Sequence, residues 1–212
     1  MDKLNIIKDK HQKVFFISDL HFGHKNILNF CQRPFTDIKD MELKMISYWN
    51  AVVSNNDIVF VLGDTFWFND RKAMKRIFKQ LNGKQIYLIL GNHCDPKTYE
   101  RLKTEEIIGD RIQVLSDVVT LYLREYNSST PETPTLLGEI VLSHYPLMTW
   151  SHRDKGAINL FGHIHSGPRT LCNVDQDLPL WKGKQYDVGA DNNNYTPVEY
   201  NKILAKLKED LR

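Results

Sequence analysis

Short runs of Val, Ile, Leu and Phe recur along the chain, and each stops at a small or polar cluster. "VFFI" (14–17) runs into Ser18, Asp19, Leu20 and His21, and "IVFVL" (58–62) into Gly63 and Asp64. "IYLIL" (86–90) ends at Gly91, Asn92 and His93, "IVLS" (140–143) at His144, and "INLF" (158–161) at Gly162, His163, Ile164 and His165. Near-continuous aliphatic runs of this length predict strands buried on both faces. Between them the period changes to that of a helix. Residues 40–53 put Met41, Met45, Ile46, Trp49, Val52 and Val53 on one stripe, and residues 70–81 repeat the pattern with Ala73, Met74, Ile77, Phe78 and Leu81. A last amphipathic segment, 199–210, carries Ile203, Leu204 and Leu207, with Leu211 beyond it. Strand–helix alternation predicts an α/β sheet. From 111 to 143 the runs "RIQVL", "VVTLYL" and "EIVLS" follow with little helix between, which adds a second sheet or an antiparallel edge. "NSSTPETPT" (127–135) reads as a flexible surface loop, and no linker divides residues 1–212 into two domains.

The composition alters this picture little. A formal charge of +2 marks the chain neither as a nucleic-acid binder nor as a membrane binder, and "RKAMKRIFK" (71–79) reads as the wet face of its helix. Cys31, Cys94 and Cys172 show no paired spacing, which suits reduced thiols. "MDKLNIIKDKHQK" has no apolar leader and no run approaches a membrane span, so the expected compartment is the cytoplasm. Oligomeric state stays open.

The chemistry lies in where the apolar runs end. Open α/β sheets collect ligands beyond the carboxyl ends of their strands. The five runs would therefore bring Asp19, His21, Asp64, Asn92, His93, His144, His163 and His165 together along one edge. Five of the eight histidines in the chain fall on these ends. The two of "GHIH" are one residue apart, so an extended backbone points both to one side. Imidazole and carboxylate donors without thiolate suit zinc, manganese, iron or cobalt in a working site better than a structural zinc. The ligand candidates Asp19, His21, Asp64, Asn92, His144, His163 and His165 are too many for one ion. They fit two, if one carboxylate bridges. Paired ions roughly 3.5–4 Å apart clamp the attacking and leaving oxygens in phosphoryl transfer.

These blocks ("DLH", "GD", "GNH", His144 and "GHIH", in that order) resemble the signature of the calcineurin-like metallophosphoesterase superfamily. "FISDLHFGHKNI", "RPF", "YWNAVVSNNDIVFVLGD", "LSHYPL", "LFGHIHSG" and "DVGAD" are further similar to a group of small bacterial and phage predicted phosphoesterases, over about residues 13–200. The resemblance implies a mixed α/β (α+β) fold of two packed mixed sheets flanked by helices, a four-layer sandwich with the site above one edge. It implies that Asp19, His21 and His165 bind a first metal, that Asn92, His144 and His163 bind a second, and that Asp64 bridges them. A hydroxide held between the ions would then attack phosphorus, with His93 as general acid or as a stabiliser of the transition state's charge. The expected activity is metal-dependent hydrolysis of a small phosphodiester or nucleotide. The alternatives are a phosphomonoesterase, including a phosphoprotein phosphatase, and a non-catalytic interaction module on the same fold.

One departure stands out: the third block continues with Cys94 where relatives usually carry Asp or Glu. Cys94 reads as a packing residue. Asp95 either takes the acidic role one residue late or caps the helix that Pro96 begins. His24 and Asn26 stand near enough to meet a bound phosphate, or His24 only caps a short helix. Arg33 either neutralises phosphate oxygens with its planar fork or is an ordinary helix-end charge. Phe66, Trp67, Phe68, Tyr145 and Trp150 are individually core candidates, yet as a set they allow a base to stack. His152 and Arg153 either rim the site or are solvated, and His11 is uninvolved. Asp187 and Asp191 are candidates to hold a ligand histidine from behind.

Overall fold

The computed structural model describes residues 2–104, 109–127, 130–167 and 178–211. Cys172 lies outside the described residues. The elements run β1 (Asp2–Lys8), β2 (Val14–Ile17), α1 (Ile27–Phe30), α2 (Ile38–Val52), β3 (Ile58–Leu62), α3 (Arg71–Phe78), β4 (Gln85–Ile89) and α4 (Pro96–Thr104). They continue with β5 (Ile112–Val114), β6 (Val118–Asn127), β7 (Thr130–Ser143), β8 (Ile158–Phe161), β9 (Gln185–Asp187), β10 (Val198–Glu199) and α5 (Tyr200–Glu209). Two mixed five-stranded sheets result, ordered β1-β6-β7-β8-β9 and β10-β2-β3-β4-β5. Among the described residues, no helix is long and apolar enough to cross a membrane.

Period-two alternation explains why the strands of the second sheet are apolar throughout. Phe15, Ile17, Val59 and Val61 face a core with Met41, Met45 and Trp49 of α2 and Met74, Ile77 and Phe78 of α3. The residues between them, Phe16, Ile58, Phe60 and Leu62, face the other way. They pack with Ile140, Leu142 and Leu160 of the first sheet and with Ile203 and Leu207 of α5. Phe16, Phe60 and Tyr87 form a stacked ladder across β2, β3 and β4, with ring centroids 5.3 and 4.8 Å apart.

Two expectations are corrected here. Of the expected loop 127–135, residues 128 and 129 lie outside the described residues, Asn127 belongs to β6, and 130–135 belong to β7, which pairs antiparallel with β6. Among the described residues, this strand has a neighbour on one side only before Ile140. A proline such as Pro134, which lacks an N–H, is tolerated on a strand with an open side. The strand β1, parallel to β6, was not expected either. Only Ile6 of β1 is buried, with Leu4 partly buried on the same face, so the strand's apolar signal is two residues long.

Candidate metal centre

The strand ends do converge, but from both sheets and not from one edge. β2, β3 and β4 run parallel in one sheet, and β7 and β8 run parallel in the other. The ends are laced together by the backbone. The Ser18 N–H donates to the Val188 carbonyl, the Ala190 N–H to the Ser18 carbonyl, and the Gly162 N–H to the His144 carbonyl.

Asp19, His21, Asp64, Asn92, His93, His144, His163 and His165 form one connected cluster. His21 Nε2 lies 3.9 Å from Asp19 Oδ1 and 3.7 Å from Asp64 Oδ2. His165 Nε2 lies 3.8 Å from Asp19 Oδ1. On the other side, His144 Nε2 lies 3.5 Å from Asp64 Oδ2 and 2.9 Å from Asn92 Oδ1. Asn92 Oδ1 is 3.1 Å from His163 Nδ1. Asp64 therefore stands between the two groups, and its Oδ1 accepts the His93 N–H at 3.0 Å. The His93 ring is part-exposed, with Nε2 4.0 Å from Asp64 Oδ2.

Close approach explains the glycines of the motifs. A Cβ on Gly91 would stand 2.1 Å from Asp64 Oδ1, and one on Gly162 would stand 2.3 Å from Asp19 Oδ2. Neither position admits a side chain while those carboxylates stay in place.

A divalent cation fits this donor set. Asp19 Oδ1 and His21 Nε2 are buried with no hydrogen-bond partner, a costly state that a cation would relieve. The sets Asp19–His21–His165 and Asp19–Asp64–His144 each bring donor atoms within 4.8 Å of one another. Burial, helped by the Arg33 charge, holds the His21 imidazole well below its usual range and favours its neutral form. Burial also pulls His165 down, but Asp19 and Asp191 outweigh it and raise the imidazole to about 11. His144 is raised in the same way by Asp64 and Asp19 against burial, while Asp64 is lowered because His144 and His93 outweigh its own burial. The upward shifts of His165 and His144 record the carboxylates of Asp19, Asp64 and Asp191, charges that a cation would meet as well.

The neighbouring candidates divide. His24 does not cap a helix. Asn26 is the N-cap of α1, makes no side-chain cap bond and is exposed. The His24 ring is buried, stacks on Trp67 at 3.6 Å and is lowered to about 4 by burial. Trp67 and Tyr145 are 44% and 49% exposed, the first 4.5 Å from the His93 ring and the second 4.4 Å from the His163 ring. Phe66 and Trp150 are core residues and Phe68 is packed against the core. His152 pairs with Glu139, Arg153 lies over Trp181, and His11 is exposed. Asp95 caps α4, accepting from the Lys97 and Thr98 N–H groups and the Thr98 hydroxyl, so it does not take an acidic role beside His93. Cys94 is buried and its thiol is pushed up by burial, as a packing residue would be.

Arg33 is the clearest correction. Its guanidinium points into the protein and bonds Asp191 and two backbone carbonyls, so its fork is not offered to a phosphate. Asp191 in turn touches His165. Asp187 instead staples the loop beyond His165, accepting from the Ser166 N–H and hydroxyl and from the Gly189 N–H, and burial raises its carboxyl to about 6. The Cys31 thiol, 3.5 Å from His165 Nδ1, is a contact no local sequence signal reveals.

Comparison with known proteins gives the chain's family. A protein of Methanocaldococcus jannaschii described as uncharacterised is 34% identical over 201 residues, covering 93% of this chain and 92% of that one. The gene 66 protein of Mycobacterium phage L5 is 28% identical, covering 72% of this chain and 77% of its own. A crystal structure of an Aquifex aeolicus protein of unknown function aligns with a TM-score of 0.59 and 25% identity over 91% of this chain and 98% of that one. The calcineurin-like phosphoesterase family model matches residues 12–167. With the matched span containing all eight residues of the cluster, the chain belongs to the calcineurin-like phosphoesterase family, whose members' common chemistry is metal-dependent phosphoester hydrolysis.

Proposed function

We propose that the protein hydrolyses a small phosphodiester or nucleotide-like phosphoester with two divalent ions bound in the cluster. The observation that carries this reading is the position of Asp64. Its Oδ2 faces His21 Nε2 at 3.7 Å on one side and His144 Nε2 at 3.5 Å on the other, as a shared carboxylate would. Asp19, His21 and His165 would hold one ion, and Asn92, His144 and His163 the other. When bound, such ions polarise a phosphoryl oxygen and make water nucleophilic near neutral pH. The chain's own residues do the rest. His93, part-exposed with Nε2 4.0 Å from Asp64 Oδ2, would give a proton to the leaving oxygen. Trp67 and Tyr145, half-exposed beside His93 and His163, offer flat surfaces to a planar leaving group.

Manganese-loaded protein should approach two equivalents of metal, and Asp64→Ala should lose most of both. A stoichiometry of one that survives this substitution rules out the shared carboxylate. Parallel assays on bis-nitrophenyl phosphate, nitrophenyl phosphate and a panel of cyclic and linear nucleotides set the ester class. Preference for the monoester would replace the diester reading with a phosphomonoesterase. Full metal loading without turnover of any ester would favour an interaction module.

A further inference from the structure

We propose that Arg33 and Asp191 are positioning residues for the half of the cluster made by Asp19, His21 and His165. The inference rests on the reading that those three side chains hold a divalent cation. The Arg33 side chain is 0% exposed. It meets Asp191 as a fork, Nε donating to Oδ1 at 2.9 Å and Nη2 to Oδ2 at 2.8 Å. Two more bonds go to the loop after β2, from Nη1 to the Leu20 carbonyl at 2.9 Å and from Nη2 to the Asp19 carbonyl at 2.7 Å. Asp191 Oδ2 lies 2.7 Å from His165 Nδ1. One guanidinium thus ties the backbone that presents Asp19 and His21 to the carboxylate that orients His165.

Stability alone accounts poorly for this arrangement. An ion pair buried away from water loses hydration that mutual attraction only partly restores, and apolar replacements often fold as well. The surroundings supply a better reason. Asp19, His21 and His165 have φ of 58°, 52° and 46°, backbone conformations that persist only when neighbours constrain them. Arg33 constrains the first two through the carbonyls of Asp19 and Leu20. The contact of His165 Nδ1 with Asp191 fixes the ring so that Nε2 is the nitrogen turned toward Asp19, the one offered to a metal. Cys31, His165 and Asp191 form a further donor group around Nδ1. There the guanidinium already supplies the positive charge, so the geometry places the cation on the Nε2 side.

Calorimetric titration of manganese into metal-free wild-type protein, Asp191→Asn and Arg33→Lys tests the proposal, with cobalt absorption spectra reporting ligand geometry. Loss of an outer-shell partner of this kind weakens metal affinity about 10–100-fold. The expected result is that one binding event weakens by that factor, the other is unchanged, and the cobalt spectrum shifts. Asn92→Ala should show the complementary pattern. Unchanged affinity and spectrum in folded Asp191→Asn overturn the proposal, and so does equal weakening of both events, which marks a general structural role. If Asp191→Asn does not fold, Arg33→Lys, which keeps the charge and loses the fork, gives the same comparison. Wild-type protein that binds no manganese removes the metal reading itself, an outcome distinct from the others.

Discussion

Asp19, His21, Asp64, His163 and His165 all hold left-handed backbone, with φ between 46° and 72°. For a residue with a side chain that conformation costs about 1–2 kcal/mol, and such strain gathers where a site needs a fixed geometry. Asp and His tolerate it better than most residues, which is one reason these types can turn so sharply at a strand end. His93 is exposed, as is Asn92 beside it, and its role separates from that of its neighbours by experiment. His93→Ala should keep its metals yet hydrolyse an ester with a poor leaving group about 10²–10⁴-fold more slowly. Nitrophenolate needs little protonation, so the loss on its esters should be smaller. Equal losses on both, with metal content unchanged, point to charge stabilisation instead. At this scale the sequence was informative for a physical reason: each cluster residue follows directly on an apolar run, so its position is set by a strand. Arg33 and Asp191 follow no such rule. They are 158 residues apart, and only the fold makes their bond visible.

At the scale of elements, legibility tracked burial. β2, β3, β4 and β8 are buried on both faces and read directly as apolar runs. β1 and the first half of β7 lie at or beside an open edge, where pairing and not apolar pattern makes the strand, so neither was visible. The central strand also sets a test of how the two cores are joined. Phe60 is fully buried between the sheets and stacks on Phe16 and Tyr87. Phe60→Ala removes the middle of that ladder and leaves a cavity, which should cost about 3–5 kcal/mol in urea unfolding. Phe60→Leu should cost much less. If the alanine variant loses under about 1 kcal/mol, well short of that range, the ladder is not what holds the sheets together.

At the scale of the whole molecule, the cluster sits where two sheets end, so the cation and the fold should support each other. Asp19, His21 and Asp64 come from the sheet containing β2 and β3, whereas His144, His163 and His165 follow strands of the other. A cation shared among them adds contacts across the junction that the unfolded chain cannot make. Binding to the native state alone stabilises it by about 2.7 kcal/mol per site at a hundredfold excess of ligand over Kd. A chain of this length gains about 2–4 °C in Tm per kcal/mol. Manganese should therefore raise the Tm of the metal-free protein by roughly 5–11 °C for one site, and more if two are filled. A chelator should reverse the shift. Asp64→Ala, which removes the shared carboxylate, should melt at nearly the same temperature with and without manganese. The mechanical link between cation and fold is refuted if calorimetry shows manganese bound to the wild-type protein while its Tm stays unchanged, because the ion would then be held by side chains that unfolding does not separate.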